Sequence, residues 1–362
     1  MAEIISIATA VPRFCHKQAD IFQFMQNCYQ LGKEDKRRLK FLYDHSGIHT
    51  RYSVVSDYGN LVTDESSRFI PVGKEAVFPS LEKRMELYHR ESLVLSATAI
   101  RDCIKDRISS HQITHLITVS CTGLSAPGLD LQLLQELDLS PDIFRTSVNF
   151  MGCYAAIHAL KLAKMICDST DNANVVIVAT ELCTLHFQQT FTPDNAASSL
   201  LFSDGSAAVL VSNCILSETA LSIKGFHSYV TSKGEKDMAW ELSSHGFLMT
   251  LSGYVPQLIQ EDINQLVEKA VSANGIQLSD ITKWCIHPGG KRILDLIQKQ
   301  LVLSDRDLHY SREVLYQYGN MSSPTVLFVL KKILDQPEKT HDKILGMAFG
   351  PGLTMETFIV ER

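Results

Sequence analysis

The sequence predicts an α/β fold, and three observations carry that expectation. Short β-branched runs alternate with longer stretches of helical periodicity, the pattern of βα units. Residues 117–119 and 175–178 are apolar at almost every position, as strands covered on both faces should be. The alternation then recurs: a series over residues 1–215 precedes a shorter one over 216–362, with no low-complexity linker between them. Two related halves packed around one core, on a largely parallel sheet, are therefore expected.

In the first series, the β-branched, apolar run 4–11 opens as a strand. Residues 18–31 and 34–43 space their apolar positions three and four apart and read as helices. Residues 56–90 form the most polar segment, expected as a surface excursion with a short helix of its own. Helices follow at 91–105, 129–137 and 152–168, with strands at 115–120, 146–150, 175–181 and 207–212. The second series reads as strand 221–230, helix 256–273, strand 284–286, helices 290–301 and 322–334, and closing strands 344–349 and 354–360.

Composition narrows the function classes. With 45% hydrophobic and 20% charged residues, the 362-residue chain is ordinary globular protein, not disordered, collagenous or coiled coil. A net charge of −6, from 34 basic and 40 acidic residues, argues against nucleic-acid binding. No run of about 18 apolar residues suggests a membrane span. The opening Met1–Cys15 stretch lacks the basic region and long apolar run of a secretory signal, so a cytoplasmic location is expected. Nine cysteines are too sparse for a disulfide scaffold, and none sits in zinc-spaced pairs, so reduced thiols and no metal are expected.

One of these thiols occupies a special position. A strand runs into Gly152-Cys153 and then into a strong helix former, which places Cys153 at a helix N-terminus. Free N–H groups and the helix dipole there favour a thiolate, a good nucleophile for acyl transfer. The other reading is a small buried hydrophobe in a turn. In Trp284-Cys285-Ile286-His287-Pro288-Gly289-Gly290, His287 ends an apolar strand, where ligands bind in open α/β sheets. A satisfied core histidine is its other reading; His158 and His186 are weaker rivals for a partner to the thiol. Asn320, in Tyr318-Gly319-Asn320-Met321-Ser322-Ser323-Pro324, is either a turn residue or an amide donor aimed at an oxyanion. Ser322 or Ser323 would cap the helix that follows. Gly350-Pro351-Gly352 makes a tight connection between two strands.

Taken together, Cys121-Thr122-Gly123-Leu124-Ser125-Ala126-Pro127-Gly128, Gly152-Cys153, Phe202-Ser203-Asp204-Gly205, His287-Pro288-Gly289-Gly290, the Asn320 motif and Phe349-Gly350-Pro351-Gly352-Leu353 resemble the type III polyketide synthases, the chalcone-synthase-like branch of the thiolase superfamily. The resemblance spans nearly the whole chain. It implies the thiolase fold, two βα halves forming a five-layered αβαβα sandwich. It also implies that Cys153 accepts an acyl starter from acyl-CoA, while His287 and Asn320 polarise the carbonyl of malonyl-CoA for decarboxylative condensation. Phe202 would gate the cavity, Gly350, Pro351 and Gly352 would shape its wall, and the poly-β-keto chain would cyclise to a pyrone or a phenolic or resorcinol product. The substrates would be CoA thioesters, with no permanently bound cofactor, and the protein would be a homodimer.

Departures from the family pattern set further expectations. Among the basic residues of 33–40, Arg38 fits one CoA-phosphate position, whereas two others hold Phe41 and His45, so Lys40 or Arg37 is expected to share the contact. Met249 stands at a second gate position, and Ala126 where plant enzymes carry a methionine that reaches the partner's cavity. Cys121 lines the cavity or is a buried strand residue. Smaller or softer lining suits a long or bulky starter. Two alternatives remain: a single-condensation enzyme like ketoacyl-carrier-protein synthase III, and a non-catalytic scaffold. The His-Pro-Gly-Gly and Phe-Gly-Pro-Gly-Leu motifs depart from the first, and an intact Cys153/His287/Asn320 set argues against the second.

Overall fold

The computed structural model describes residues 1–59, 68–71, 77–336 and 342–362. The first half contains β1 (Glu3–Ala10), β2 (Phe14–Lys17), α1 (Gln18–Tyr29), α2 (Lys33–Asp44), β3 (Thr50–Ser53), α3 (Leu81–Ile104), β4 (His115–Ser120), α4 (Leu129–Glu136), β5 (Phe144–Asn149), α5 (Ala155–Ser169), β6 (Asn174–Leu182), α6 (Pro193–Leu201) and β7 (Asp204–Ser212). The second contains β8 (Leu221–Val230), β9 (Met238–Ser243), β10 (Gly246–Leu251), α7 (Val255–Ala273), β11 (Lys283–Ile286), α8 (Lys291–Gln300), α9 (His309–Tyr318), α10 (Thr325–Leu334), β12 (Lys343–Gly350) and β13 (Thr354–Glu361).

Nine strands hydrogen-bond in the order β11-β12-β13-β8-β1-β7-β6-β4-β5. The two halves meet where β1 touches β8, over the pairs Glu3↔Ser222 and Ile4↔Leu221. Side-chain alternation sorts the strands' residues into layers. On β6, Val175, Ile177 and Ala179 face a central cluster with Ile157 and Leu160 of α5 and Leu327 and Leu330 of α10. The intervening Val176 and Val178 face outward, against Ile100 of α3 and Met25 of α1. On the opposite side, Leu345 and Met347 of β12 pack under Ile263 and Leu266 of α7 and Leu294 of α8. The layers are thus outer helices, strands, α5 with α10, strands and outer helices.

The expectation of a largely parallel sheet is corrected. Within the nine-stranded sheet β4–β5, β4–β6 and β11–β12 are parallel, while the other pairs are antiparallel. A connection as short as Pro351–Leu353 between β12 and β13 permits nothing else. Residues 56–90 are corrected in part. Asp57, Tyr58, Ile70 and Arg84 are buried, and α3 starts at Leu81, ten residues before the expected point. Arg84 misleads a polarity argument because backbone carbonyls satisfy it: Nε donates to Pro79 at 3.0 Å and Nη1 to Leu185 and Phe187. Residues 60–67 and 72–76 of that segment lie outside the described residues. The α6 and α9 helices and the β2–β3 and β9–β10 pairs were not expected.

One buried cluster ties the halves together. Glu356 of β13, 2% exposed, accepts hydrogen bonds from His158 at 2.9 Å, from Lys161 on α5, and from Ser228 of β8 at 2.9 Å. Burial would raise the Glu356 carboxyl, but His158 and Lys161 outweigh it and hold the group below its usual 4.5. A carboxyl with a lowered folded-state pKa stabilises above its unfolded value and loses that contribution as pH falls through the folded one. Thermal melts of the wild type should therefore show a stability component that disappears below about pH 4.5. Glu356→Gln should lack it and melt lower at pH 7.

Candidate active site

Cys153 is set by a backbone constraint. Beyond β5, Phe150 has φ +57° and Gly152 φ +79°, and a single 3₁₀ turn, Gly152–Tyr154, leads into α5. A Cβ on Gly152 would lie 2.4 Å from Pro351 Cδ, so both conformation and space require glycine there. The Gly152 N–H donates to Cys121 Sγ at 3.1 Å, and the Cys153 thiol donates to Ser322 Oγ at 3.6 Å. The strand-to-helix turn read from the sequence is the one observed.

His287 follows β11, and its N–H extends the ladder to the Met347 carbonyl at 2.8 Å. The side chain is 1% exposed, and neither ring nitrogen has a hydrogen-bond partner among the described residues.

Asn320 comes from the loop before α10. Its backbone N–H donates to Leu201 O at 2.9 Å and its carbonyl accepts from Ser203 N at 2.9 Å, bridging it to Phe202. Its Oδ1 accepts from Ser322 N at 2.8 Å, and Nδ2 donates to Gly289 O at 3.2 Å. An amide NH₂ carries two hydrogens, and Asn320 also lies within hydrogen-bond reach of the Cys153 sulfur, where it favours the thiolate. The capping role expected of Ser322 or Ser323 is corrected, since α10 begins only at Thr325. Ser322, at φ +59°, accepts from Cys153, and Ser323 donates to Glu181 at 2.7 Å.

Cys153, His287 and Asn320 line one cavity, together with Cys121, Phe202, Met249, Ser322 and Pro351. Trp240, Leu251 and Phe349 complete much of its apolar wall. A Cβ on Gly350 would lie 3.4 Å from the Cys153 nitrogen, so that glycine backs the thiol turn from behind. Gly352 and Ala126 are absent from this wall, and Ala126 is exposed. Arg38 and Lys40 are also elsewhere. They sit on the solvated face of α2, paired within the helix to Glu34 at 2.5 Å and Asp44 at 2.6 Å, as i,i+4 spacing allows.

Burial governs the electrostatics. It pushes the Cys153 thiol up to about 12, against the hydrogen bond to Ser322, and pushes the His287 imidazole down to about 3. Each group by itself is therefore neutral. The dipole of α5, worth about 0.3–1 kcal/mol, does not by itself offset this burial.

Glu181 was not singled out from the sequence. It is fully buried on β6 and accepts from Cys121 N at 2.9 Å, Thr122 Oγ1 at 2.8 Å and Ser323 Oγ at 2.7 Å. Burial pushes its carboxyl up to about 7 against these hydrogen bonds. It clamps two of the segments that surround the thiol. The available signal was a carboxylate ending the otherwise apolar run 175–182. Among the described residues, no group of three or more His, Cys, Asp or Glu is placed to hold a metal ion. No described helix is long and apolar enough to cross a membrane.

Comparisons with known proteins bear on the family and the fold. Residues 1–214 match the family model for chalcone and stilbene synthases, N-terminal domain, and residues 226–362 match the C-terminal domain. Type III polyketide synthase C of Arabidopsis thaliana is 29% identical over 385 residues, covering 100% of this chain and 95% of that protein. The crystal structure of PKS-I from the brown alga Ectocarpus siliculosus superposes with a TM-score of 0.93 at 26% identity, covering 100% of this chain and 98% of that one. The C-terminal type III polyketide synthase domain of Steely1 from Dictyostelium superposes with a TM-score of 0.90 at 25% identity, covering 100% and 99%.

The turn at Cys153 gives a direct test. Gly152→Ala should lower the melting temperature and slow alkylation of Cys153 by iodoacetamide, because the new methyl displaces Pro351. An unchanged melt and labelling rate would show that the turn is not constrained.

Proposed function

The chain belongs to the chalcone and stilbene synthase family and is a condensing acyltransferase, and from that premise we propose how its own residues run the reaction. The observation that carries the reading is the one cavity shared by Cys153, His287 and Asn320. Loading begins as Cys153 attacks the thioester carbonyl of an acyl-CoA starter, its proton passing to His287 and CoA thiolate leaving. The acyl group is now a thioester of Cys153.

Malonyl-CoA then enters with its thioester oxygen between the Asn320 N–H and the His287 imidazole. As CO₂ leaves, the electrons of the broken C–C bond become an enolate, and its oxygen is met by these two donors. Placed in a dry cavity, such donors act without competition from water. The carbanion attacks the acyl carbonyl, a C–C bond forms, and the Cys153 thiolate departs. The β-ketoacyl-CoA reloads and the cycle repeats until the chain cyclises to a pyrone or a phenolic or resorcinol product.

Phe202 and Met249 border the cavity as gate residues, Cys121 and Ser322 as lining, and Pro351 as the one loop residue at its wall, positioned by Gly350 and Gly352 on either side. Residues 1–215 carry the nucleophile, and 216–362 carry His287 and Asn320. CoA phosphates would draw Arg38 and Lys40 away from Glu34 and Asp44. Exposed pairs of that kind are worth only about 0.3–0.5 kcal/mol, so the exchange costs little. Ala126, exposed in one chain, fits a homodimer in which it faces the partner. A cytoplasmic location with free CoA thioesters as substrates completes the reading.

The test is product analysis by mass spectrometry with malonyl-CoA and short, long and aromatic acyl-CoAs. Wild type should decarboxylate malonyl-CoA and extend at least one starter. Cys153→Ala should not be labelled by radioactive acyl-CoA. Asn320→Ala should decarboxylate about 10²–10³-fold more slowly, with a smaller effect on acyl loading. Labelled Cys153→Ala, or full decarboxylation by Asn320→Ala, would contradict these roles, and a wild type inert toward every substrate would point to a scaffold.

A further inference from the structure

We propose that Glu181 is a positioning residue for the condensation: through Ser323 it fixes the turn that presents Asn320 and Ser322 to Cys153. The proposal rests on the roles given above to Cys153 and Asn320. Three side chains of the turn 320–323 make separate contacts. Asn320 and Ser322 both lie within hydrogen-bond reach of the Cys153 sulfur. Ser323, fully buried, instead donates to Glu181 Oε1 at 2.7 Å.

The turn needs holding. Ser322 has φ +59°, a left-handed conformation that is uncommon for a residue with a side chain and persists only where neighbours enforce it. Thr325 supplies one restraint, its Oγ1 accepting from Met321 N at 2.9 Å and donating to Ser322 O at 2.8 Å. The Ser323–Glu181 hydrogen bond supplies the second, and it is the one that ties the turn to the first half's loop 120–122.

Glu181 makes a firm anchor because its own partners are directed at it. Oε2 accepts from Cys121 N at 2.9 Å, from Thr122 Oγ1 at 2.8 Å and, more weakly, from Ser120 Oγ at 3.4 Å. Thr122 Oγ1 accepts from Leu182 N at 2.9 Å, and Ser120 Oγ accepts from the Tyr88 hydroxyl at 2.7 Å, so the hydrogen of each is left for the carboxylate. Cys121 Sγ in turn takes the Gly152 N–H at 3.1 Å, so the loop that Glu181 grips also touches the nucleophile's turn. One carboxylate thereby joins the segment behind Cys153 to the segment that carries Asn320. Its charge leaves a signature that packing alone lacks. The titratable groups that face it are Cys153, Cys121, Cys183 and Tyr88, and a negative Glu181 disfavours ionisation of each. Glu181 acts through these neighbours and takes no part in the bond-making steps.

Malonyl-CoA decarboxylation and the pH profile of Cys153 alkylation by iodoacetamide are measured for wild type, Ser323→Ala, Glu181→Leu and Glu181→Gln, with folding checked by circular dichroism. Ser323→Ala and Glu181→Leu should lower the kcat of decarboxylation by about tenfold or more, since a donor is misplaced. KM for malonyl-CoA should change by less than about threefold, since no binding contact is lost. Glu181→Gln should recover most of that loss: its Oε1 keeps Cys121 and Thr122, and its NH₂ donates to Ser323 Oγ, whose hydroxyl can turn. The same Gln variant should move the alkylation inflection to lower pH, because the negative charge beside the thiol is gone. Should Glu181→Leu fail to fold, Ser323→Ala decides, because it removes a single hydroxyl. Alkylation needs no turnover, so a wild type inert toward malonyl-CoA would count against the polyketide reading and leave the Gln profile to decide this one. An alkylation profile unchanged in Glu181→Gln overturns the proposal, as does wild-type kcat in folded Ser323→Ala.

Discussion

A buried imidazole with no hydrogen-bond partner among the described residues, lining the same cavity as a thiol, is the constraint on which the site depends. Leaving a buried polar group unpaired costs about 1–3 kcal/mol, and His287 leaves both of its nitrogens so. A fold keeps such a group only where the backbone around it is held from elsewhere. Here β11 ends on the ladder to Met347, so the ring is carried by a strand rather than by a loop. The same low-polarity surroundings disfavour charge on the thiol or the imidazole alone.

The neighbouring groups are fixed by polar contacts that themselves avoid the cavity. Asn320 gives its backbone to Leu201 and Ser203 and is turned by Ser322 and Gly289. Glu181 gathers the Cys121, Thr122 and Ser323 segments. Gly152 accepts the close approach of Pro351, so the loop between β12 and β13 sets the distance behind the thiol. Cys153 comes from the first half, and His287 and Asn320 from the second. Contacts between the halves, such as Glu356 with Lys161 and His158, therefore bear on chemistry as well as stability.

Much of this was legible in the sequence because local signals agreed with the fold. The run through Gly152-Cys153 into an Ala- and Leu-rich stretch marks a strand-to-helix turn, and the turn is there. His287 at the end of an apolar strand and the Gly-Pro-Gly turn were equally local. What escaped was long-range. Strand direction in the β6–β7 and β8–β13 pairs leaves no mark on composition, so a mixed sheet read as a parallel one. Arg84 looked like surface because its satisfaction by distant carbonyls is invisible along the chain. Arg38 was placed by resemblance and Lys40 as a substitute contact; along the chain their spacing also pairs them with Glu34 and Asp44 within their own helix.

The central claim is that charge arises in this cavity only as a Cys153–His287 pair. The most direct measurement is the pH profile of Cys153 alkylation by iodoacetamide, followed by intact mass, for wild type and His287→Ala. Wild type should react near neutral pH, and loss of the imidazole should move the inflection up by several units, toward the value of about 12 that burial imposes on the thiol. Superimposable profiles would contradict the account, because the thiol would then ionise without help from the histidine.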